Sequence, residues 1–317
     1  MKRILSCLLM LTVLLAAASA QARPIEVFVS IAPQKHFVER IAGSLAEVSV
    51  MVMPGASPHT YEPKPRQLAA LQSAKAYFAV GDSFEQAWLP RFKAANPNVL
   101  MVATDKGVAK IPMAAHHHEE EGEEHDHAHG EEHDHDHGEK HGEEHGHAQA
   151  DQHDHGGLDP HIWLSPRLVK IQAANILEGL KAVDPVNAAT YEANFQAFLS
   201  ELDALDARIR AVLASASSKE FLVFHPSWGY FAQDYGLVQI PIEIEGKEPK
   251  PQELVALAGF ASKHRIRAIF VQPQFSRATA NVVAREIKAE LIVADPLAGN
   301  WDSNLLQVAE RFRLALQ

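Results

Sequence analysis

Fourteen of the nineteen histidines in this 317-residue chain fall within one stretch. They are His116, His117, His118, His125, His127, His129, His133, His135, His137, His141, His145, His147, His153 and His155. Fifteen acidic residues and Lys140 share the same stretch. His-x-His pairs such as His127/His129 and His135/His137 can chelate zinc, copper or nickel, weakly and in variable numbers. Fixing a flexible segment costs roughly 1–2 kcal/mol per residue, which a preorganised site avoids. A tight site is therefore expected elsewhere, with the tract capturing metal and passing it on. Imidazole must be neutral to bind, so acid below about pH 6 empties the tract first.

Only His36, His59, His161, His225 and His264 lie outside the tract. His36 sits in an expected helix and reads as structural; His264, between Lys263 and Arg265, reads as solvated surface. The other three follow expected strands or precede an expected helix. His59 comes after a strand ending at Met53, His225 after Phe221–Phe224, and His161 shortly before Ser165-Pro166, a helix start. Asp295 follows the strand 291–294 in the same way. In open αβ sheets, ligands bind beyond the carboxyl ends of strands. Three imidazoles and one carboxylate make a nitrogen/oxygen set that zinc accepts readily. Cys7 is the only cysteine and falls in an expected leader, so no thiolate contributes. Donors of this kind suit zinc or manganese better than copper(I).

The positioning elements follow from hydrophobic period. Strands are expected at 25–29, 48–53, 76–80 and 99–103, with helices after Pro33 and from Pro65 to Ala74. After the tract, apolar residues recur every three or four positions from Tyr191 to Val212, with no Gly or Pro between. That is one helix of about seven or eight turns, a stiff connector rather than a flexible linker. Strands at 221–224, 238–243, 268–272 and 291–294 then alternate with helices at 228–235, 251–264, 277–289 and 304–316. The expected fold class is α/β: two parallel-sheet αβ lobes joined by one long rigid connecting helix, with the metal site in the inter-lobe cleft.

The expected organisation runs as follows. Residues 1–22 form a signal peptide, with Lys2 and Arg3, an apolar run and the small-residue pattern Ala18-Ser19-Ala20. Residues 23–111 and 158–184 make the first lobe, and 112–157 a disordered metal-binding insertion within it. Residues 185–216 make the connector and 217–317 the second lobe. The net charge of −11 lies in the tract, which carries −14; the remainder is +3, or +1 without Lys2 and Arg3. A nearly neutral globular part presents no basic face for nucleic acid. A monomer in the periplasm is expected.

Whole motifs now resemble a family. Pro54-Gly55-Ala56-Ser57-Pro58-His59, Asp159-Pro160-His161-Ile162-Trp163 and Phe224-His225-Pro226-Ser227-Trp228 are similar to the ligand motifs of the metal-binding proteins of zinc and manganese ABC transporters. Glu245-Gly246-Lys247-Glu248-Pro249 and Ala294-Asp295-Pro296-Leu297 complete the resemblance, which covers the chain outside the tract. It implies metal buried between two lobes, with His59, His161 and His225 as ligands, and delivery to a membrane permease. Manganese-type members commonly carry Glu where His225 stands, so the resemblance favours zinc(II). Some zinc-type members have Glu where Pro58 stands here. That leaves the fourth ligand open among Asp295, a water and a tract residue, with Asp295 favoured. Asp159 either orients an imidazole or shapes a turn with Pro160. The reading is therefore a transport protein and not an enzyme, since no motif such as HExxH accompanies the ligands. A manganese-type protein, a zinc buffer working through the tract, and a zinc hydrolase are its rivals.

Overall fold

The structure, a computed structural model, describes residues 23–114, 157–243, 250–275 and 277–317. The expected signal peptide, the tract histidines and the Glu245–Pro249 motif lie outside the described residues.

Two four-stranded sheets share one connectivity. The first contains β1 (Ile25–Val29), β2 (Ala46–Val50), β3 (Ala76–Ala79) and β4 (Leu100–Ala103), in the order β2-β1-β3-β4. The second contains β5 (Glu220–Val223), β6 (Val238–Pro241), β7 (Ala268–Val271) and β8 (Glu290–Val293), in the order β6-β5-β7-β8. All pairings are parallel, with Val27 opposite Val48 and Ile269 opposite Leu291. Every residue of β3 and β7 is buried, as continuous apolar strands covered on both faces must be. Each chain reversal across the first strand of a sheet creates a crevice at the carboxyl ends. The loops that carry His59 and His225 leave from those ends.

Helices α1 (Ala32–Ala42), α2 (Pro65–Leu71) and α3 (Ser83–Ala95) connect the first sheet. Helix α3 has no counterpart among the expected elements. Pro90 lies inside it and obscures its period. Its start signal is Asp82, whose carboxylate accepts from Phe84 N at 3.4 Å, with Glu85 three residues later. Helix α4 (Pro166–Val183) starts as expected, with Ser165 Oγ accepting from Leu168 N at 3.1 Å. Gly179 lets it lie flat on the sheet; a Cβ there would meet Phe78 and Val102 at 2.8 Å.

The connector is α5 (Ala188–Leu213), entered through a 3₁₀ turn at Pro185–Asn187. At about 1.5 Å per residue its 26 residues span about 39 Å. Its buried stripe is Tyr191, Phe195, Phe198, Leu202, Leu205, Ile209 and Leu213. The second lobe adds α6 (Gly229–Tyr235), α7 (Pro251–Lys263), α8 (Arg277–Ile287) and α9 (Trp301–Ala315). One hydrophobic core continues from the first sheet through α5 to β5, β7 and α9, and a smaller one lies between the second sheet and α7 and α8. The lobes are also stitched together by two buried indoles. Trp163 Nε1 donates to Pro296 O and Trp301 Nε1 donates to Trp163 O, both at 2.7 Å.

Candidate metal centre

His59 is presented by a turn that several residues fix. Gly55 takes φ +80°, where a side chain would be strained, and Pro58 starts the 3₁₀ turn Pro58–Thr60. Gln67 holds the loop from behind, accepting from Tyr61 Oη at 2.8 Å and Lys64 N at 2.9 Å and donating to Met51 O at 2.5 Å. His161 lies before the 3₁₀ turn Ile162–Leu164, in the segment anchored by Trp163. His225 follows β5. Gln272, just beyond β7, donates to His225 O at 2.6 Å and to Ser227 Oγ at 2.9 Å.

The three imidazoles converge. Their ring centroids are 5.0, 5.2 and 5.3 Å apart, and one ligand atom from each lies within 4.8 Å of the others. His59 Nε2 is 3.1 Å from His225 Nε2. Zinc–nitrogen bonds of about 2.0–2.1 Å in a tetrahedron put nitrogens about 3.3 Å apart, so this spacing already suits one ion. Two lone pairs this close repel unless a proton or metal cation lies between them. The shared cavity is small, about 20 Å³, and is walled by the three histidines with Ser57, Trp163, Gln274, Phe275 and Leu297 among others. Phe275 stacks on His225 with centroids 5.1 Å apart.

Each imidazole has a carboxylate on its other nitrogen. Asp82 Oδ2 is 3.1 Å from His59 Nδ1, Asp159 Oδ1 is 2.7 Å from His161 Nδ1, and Glu243 Oε1 is 2.5 Å from His225 Nδ1. All three acids are buried. For His161 and His225 the carboxylate is a hydrogen-bond acceptor on Nδ1, which fixes the tautomer and turns Nε2, with its lone pair, toward the centre; Asp82 stands at ion-pair distance from His59. Three such pairs on one centre are hard to explain without a cation.

Burial and charge divide the pairs. Burial would lower the His59 pKa, but the Asp82 carboxylate more than offsets this and raises it. Burial likewise pushes Asp82 up, while contact with His59 holds it below the usual range. That pair sits nearest solvent, with His59 23% exposed at its side chain. His161 is fully enclosed. Burial, with His225 and His59 beside it, lowers its pKa well below the usual value, and burial raises Asp159 to about 7. The inner imidazole is thus held neutral, as a ligand must be.

Asp295, the expected fourth ligand, does not join the three. Its Oδ1 accepts from Gln274 Nε2 and from Leu297 N, both at 2.9 Å, and it does not line the cavity. The turn before Pro296 folds the carboxylate back on its own backbone. His36 packs edge-on against Phe198 and near Trp301, consistent with a structural reading. His264 differs from expectation. It stacks on Phe260 at 4.0 Å and its Nδ1 lies 2.5 Å from Glu220 Oε2, so it is partnered rather than simply solvated.

The comparisons with known proteins agree with this geometry. The family model described as zinc-uptake complex component A, periplasmic (ZnuA), matches residues 27–310. The chain belongs to that family. Among its relatives, the zinc-binding protein AdcA of Streptococcus pyogenes serotype M3 is 30% identical over 311 residues, covering 94% of this chain and 56% of AdcA. The chain thus spans little more than half of that relative. The high-affinity zinc uptake system protein ZnuA of Bacillus subtilis is 29% identical, with 89% and 82% of the two chains covered. A crystal structure of a ZnuA superposes with a TM-score of 0.78 at 40% identity, covering 93% of this chain and 100% of the other. A zinc-bound deletion mutant of ZnuA gives 0.77, also at 40% identity. These ZnuA-type structures share the two-lobe fold.

Asp82 and Glu243 were not among the residues singled out from the sequence. Asp82 carried a signal, the Asp-x-x-Glu start of α3. Glu243, at the exit of β6, carried none beyond its place at a strand end.

Proposed function

We propose that this protein captures zinc(II) in the periplasm and delivers it to the membrane permease of an ABC transporter. The ion is held by Nε2 of His59, His161 and His225. The observation that carries this reading is the convergence of three imidazoles, each backed by a buried carboxylate, at the junction of the two lobes. An all-imidazole set of protein ligands favours zinc over manganese, which prefers more oxygen.

In this reading residues 23–111 and 158–184 act as one lobe, 185–216 as connector and 217–317 as the other lobe. Residues 112–157 gather zinc near the centre. The insertion is rooted there, with Met113 N donating to Gly157 O at 3.0 Å and Asp159 N to Ile111 O at 2.8 Å. The return strand reaches His161 four residues after Gly157. Ions held by the tract are therefore released beside the tighter site.

Titration calorimetry with zinc and with manganese, on protein lacking residues 116–155, tests the assignment. One tight zinc equivalent, lost in His161→Ala, is expected. Tighter manganese binding, or no tight zinc without the tract, would overturn it.

A further inference from the structure

Away from the metal centre, a second cavity of about 530 Å³ lies where α1, α5 and α9 meet. Small-molecule sites usually enclose roughly 300–1,000 Å³. Helix α1 belongs to the first lobe and α9 to the second, so the walls come from both lobes and the connector. Phe198, Leu205 and Trp301 are buried and make the floor apolar and aromatic. His36 joins them; burial lowers its pKa, so its ring is neutral near pH 7. On the rim, Arg40 Nε donates to Glu201 Oε2 at 2.9 Å, and those two charges answer each other. Arg208 and Asp302 are different. Both are exposed and line the cavity, and neither side chain has a hydrogen bond or ion pair among the described residues.

These two charges stand at opposite ends of the cavity. Helices α5 and α9 run side by side in one direction, and Ser217 N, just past the first, donates to Leu316 O, just past the second, at 3.0 Å. At the other end the His36 ring lies 6.2 Å from that of Phe198 and 6.0 Å from that of Trp301. Asp302 is therefore level with the turn of α5 that holds Glu201. Arg208 lies two turns of α5 farther on, about 10 Å away. An extended chain advances about 3.3–3.6 Å per residue, so about three residues cover that span. We propose that this cavity binds a short peptide with free ends, its ammonium at Asp302, an apolar side chain on Phe198 and Trp301, and its carboxylate at Arg208. The planar guanidinium can hold that carboxylate through two parallel bonds. A ligand charged at one end only would leave the other end unmet. The floor also reaches the metal centre. Trp301 Nε1 donates to Trp163 O at 2.7 Å, and the Trp163 ring lies 5.2 Å from that of His161. A peptide that bridges α1 and α9 holds the lobes in the arrangement that brings His161 to His225. It therefore tightens zinc binding, and zinc tightens peptide binding by the same factor. That linkage rests on the zinc reading above; the peptide site does not.

The test is calorimetric titration of the full chain with Ala-Phe-Ala, repeated with triglycine and with N-acetylated, C-amidated Ala-Phe-Ala. Ala-Phe-Ala is expected to bind as one equivalent, and the other two at least about tenfold more weakly. Arg208→Met and Asp302→Asn should each lower its affinity about tenfold, while zinc affinity without peptide stays within about twofold of wild type. Saturating Ala-Phe-Ala should tighten zinc binding to wild type by about threefold or more in chelator competition. No binding at millimolar Ala-Phe-Ala would overturn the proposal, as would equal binding of the blocked peptide or undiminished binding by both variants. Peptide binding that leaves zinc affinity unchanged would overturn the link to the metal centre. Peptide binding by protein that takes up no zinc would overturn the zinc reading instead.

Discussion

Asp159 Oδ1 accepts twice from His161, from its backbone N at 2.8 Å and from its Nδ1 at 2.7 Å. One oxygen thus fixes both the turn and the ring of the most deeply buried ligand. Asp159→Ala is expected to weaken zinc binding by about 10–100-fold, the usual cost of losing a partner behind a ligating imidazole. Asp159→Asn keeps an acceptor oxygen and should lose less. Chelator-competition titrations of the two variants check the order; equal affinity for wild type and Asp159→Ala would remove Asp159 from the site.

Gly229 opens α6 directly beside that carboxylate. A Cβ there would lie 2.7 Å from Asp159 Oδ2, closer than a methyl group tolerates. Alanine is nevertheless the better helix former by about 1 kcal/mol. Gly229→Ala should therefore weaken zinc binding about tenfold while changing unfolding stability by less than about 1 kcal/mol. Zinc titration and urea unfolding of one preparation separate the two effects.

Most of this architecture was legible in the sequence. The central strands β3 and β7 are continuous apolar runs, and all eight strands lie within three residues of their expected ends. The connector was plain because its stripe from Tyr191 to Val212 has no break. His59, His161 and His225 were legible because loops at strand exits are where such folds place ligands. What was hidden depends on long-range geometry. Nothing local joins Glu243 to His225, 18 residues away, or Gln274 to Asp295, 21 residues away. Its place after the strand 291–294 made Asp295 visible, yet the turn that follows ties its Oδ1 to Leu297 N.

One hydroxyl closes the root of the insertion. Tyr230 Oη, from the second lobe, accepts from Ile111 N at 3.1 Å and donates to Asp159 O at 2.8 Å. Tyr230→Phe removes both bonds and leaves an amide and a carbonyl short of a partner in a partly buried place. A loss of about 1–3 kcal/mol is expected by urea unfolding. Faster hydrogen exchange at the Ile111 amide should accompany it; unchanged exchange would mean the bond is not made.

Glu85 gives a further dependence on pH, to which Asp82 is a minor contributor. It lies at the start of α3 and accepts from Val80 N at 2.8 Å, from Gly81 N at 2.7 Å and from Ser30 Oγ, which also contacts Tyr77 Oη. Burial outweighs these bonds and raises its pKa from 4.5 to about 7. The unfolded chain loses this proton near pH 4.5, whereas the folded protein keeps it to about pH 7. Between those values the folded state binds more protons, so its stability falls as pH rises, by at most about 3 kcal/mol from this group. Below pH 4.5 the contribution is fully present, and above about 7 it is gone. Gln at this position cannot titrate, and its lost acceptor is a constant offset. The stability of wild type minus that of Glu85→Gln should therefore decline from pH 4.5 to 7 and level off above. Urea unfolding in chelator across that range measures the difference directly, and a flat difference would show that Glu85 ionises as it does in the unfolded chain.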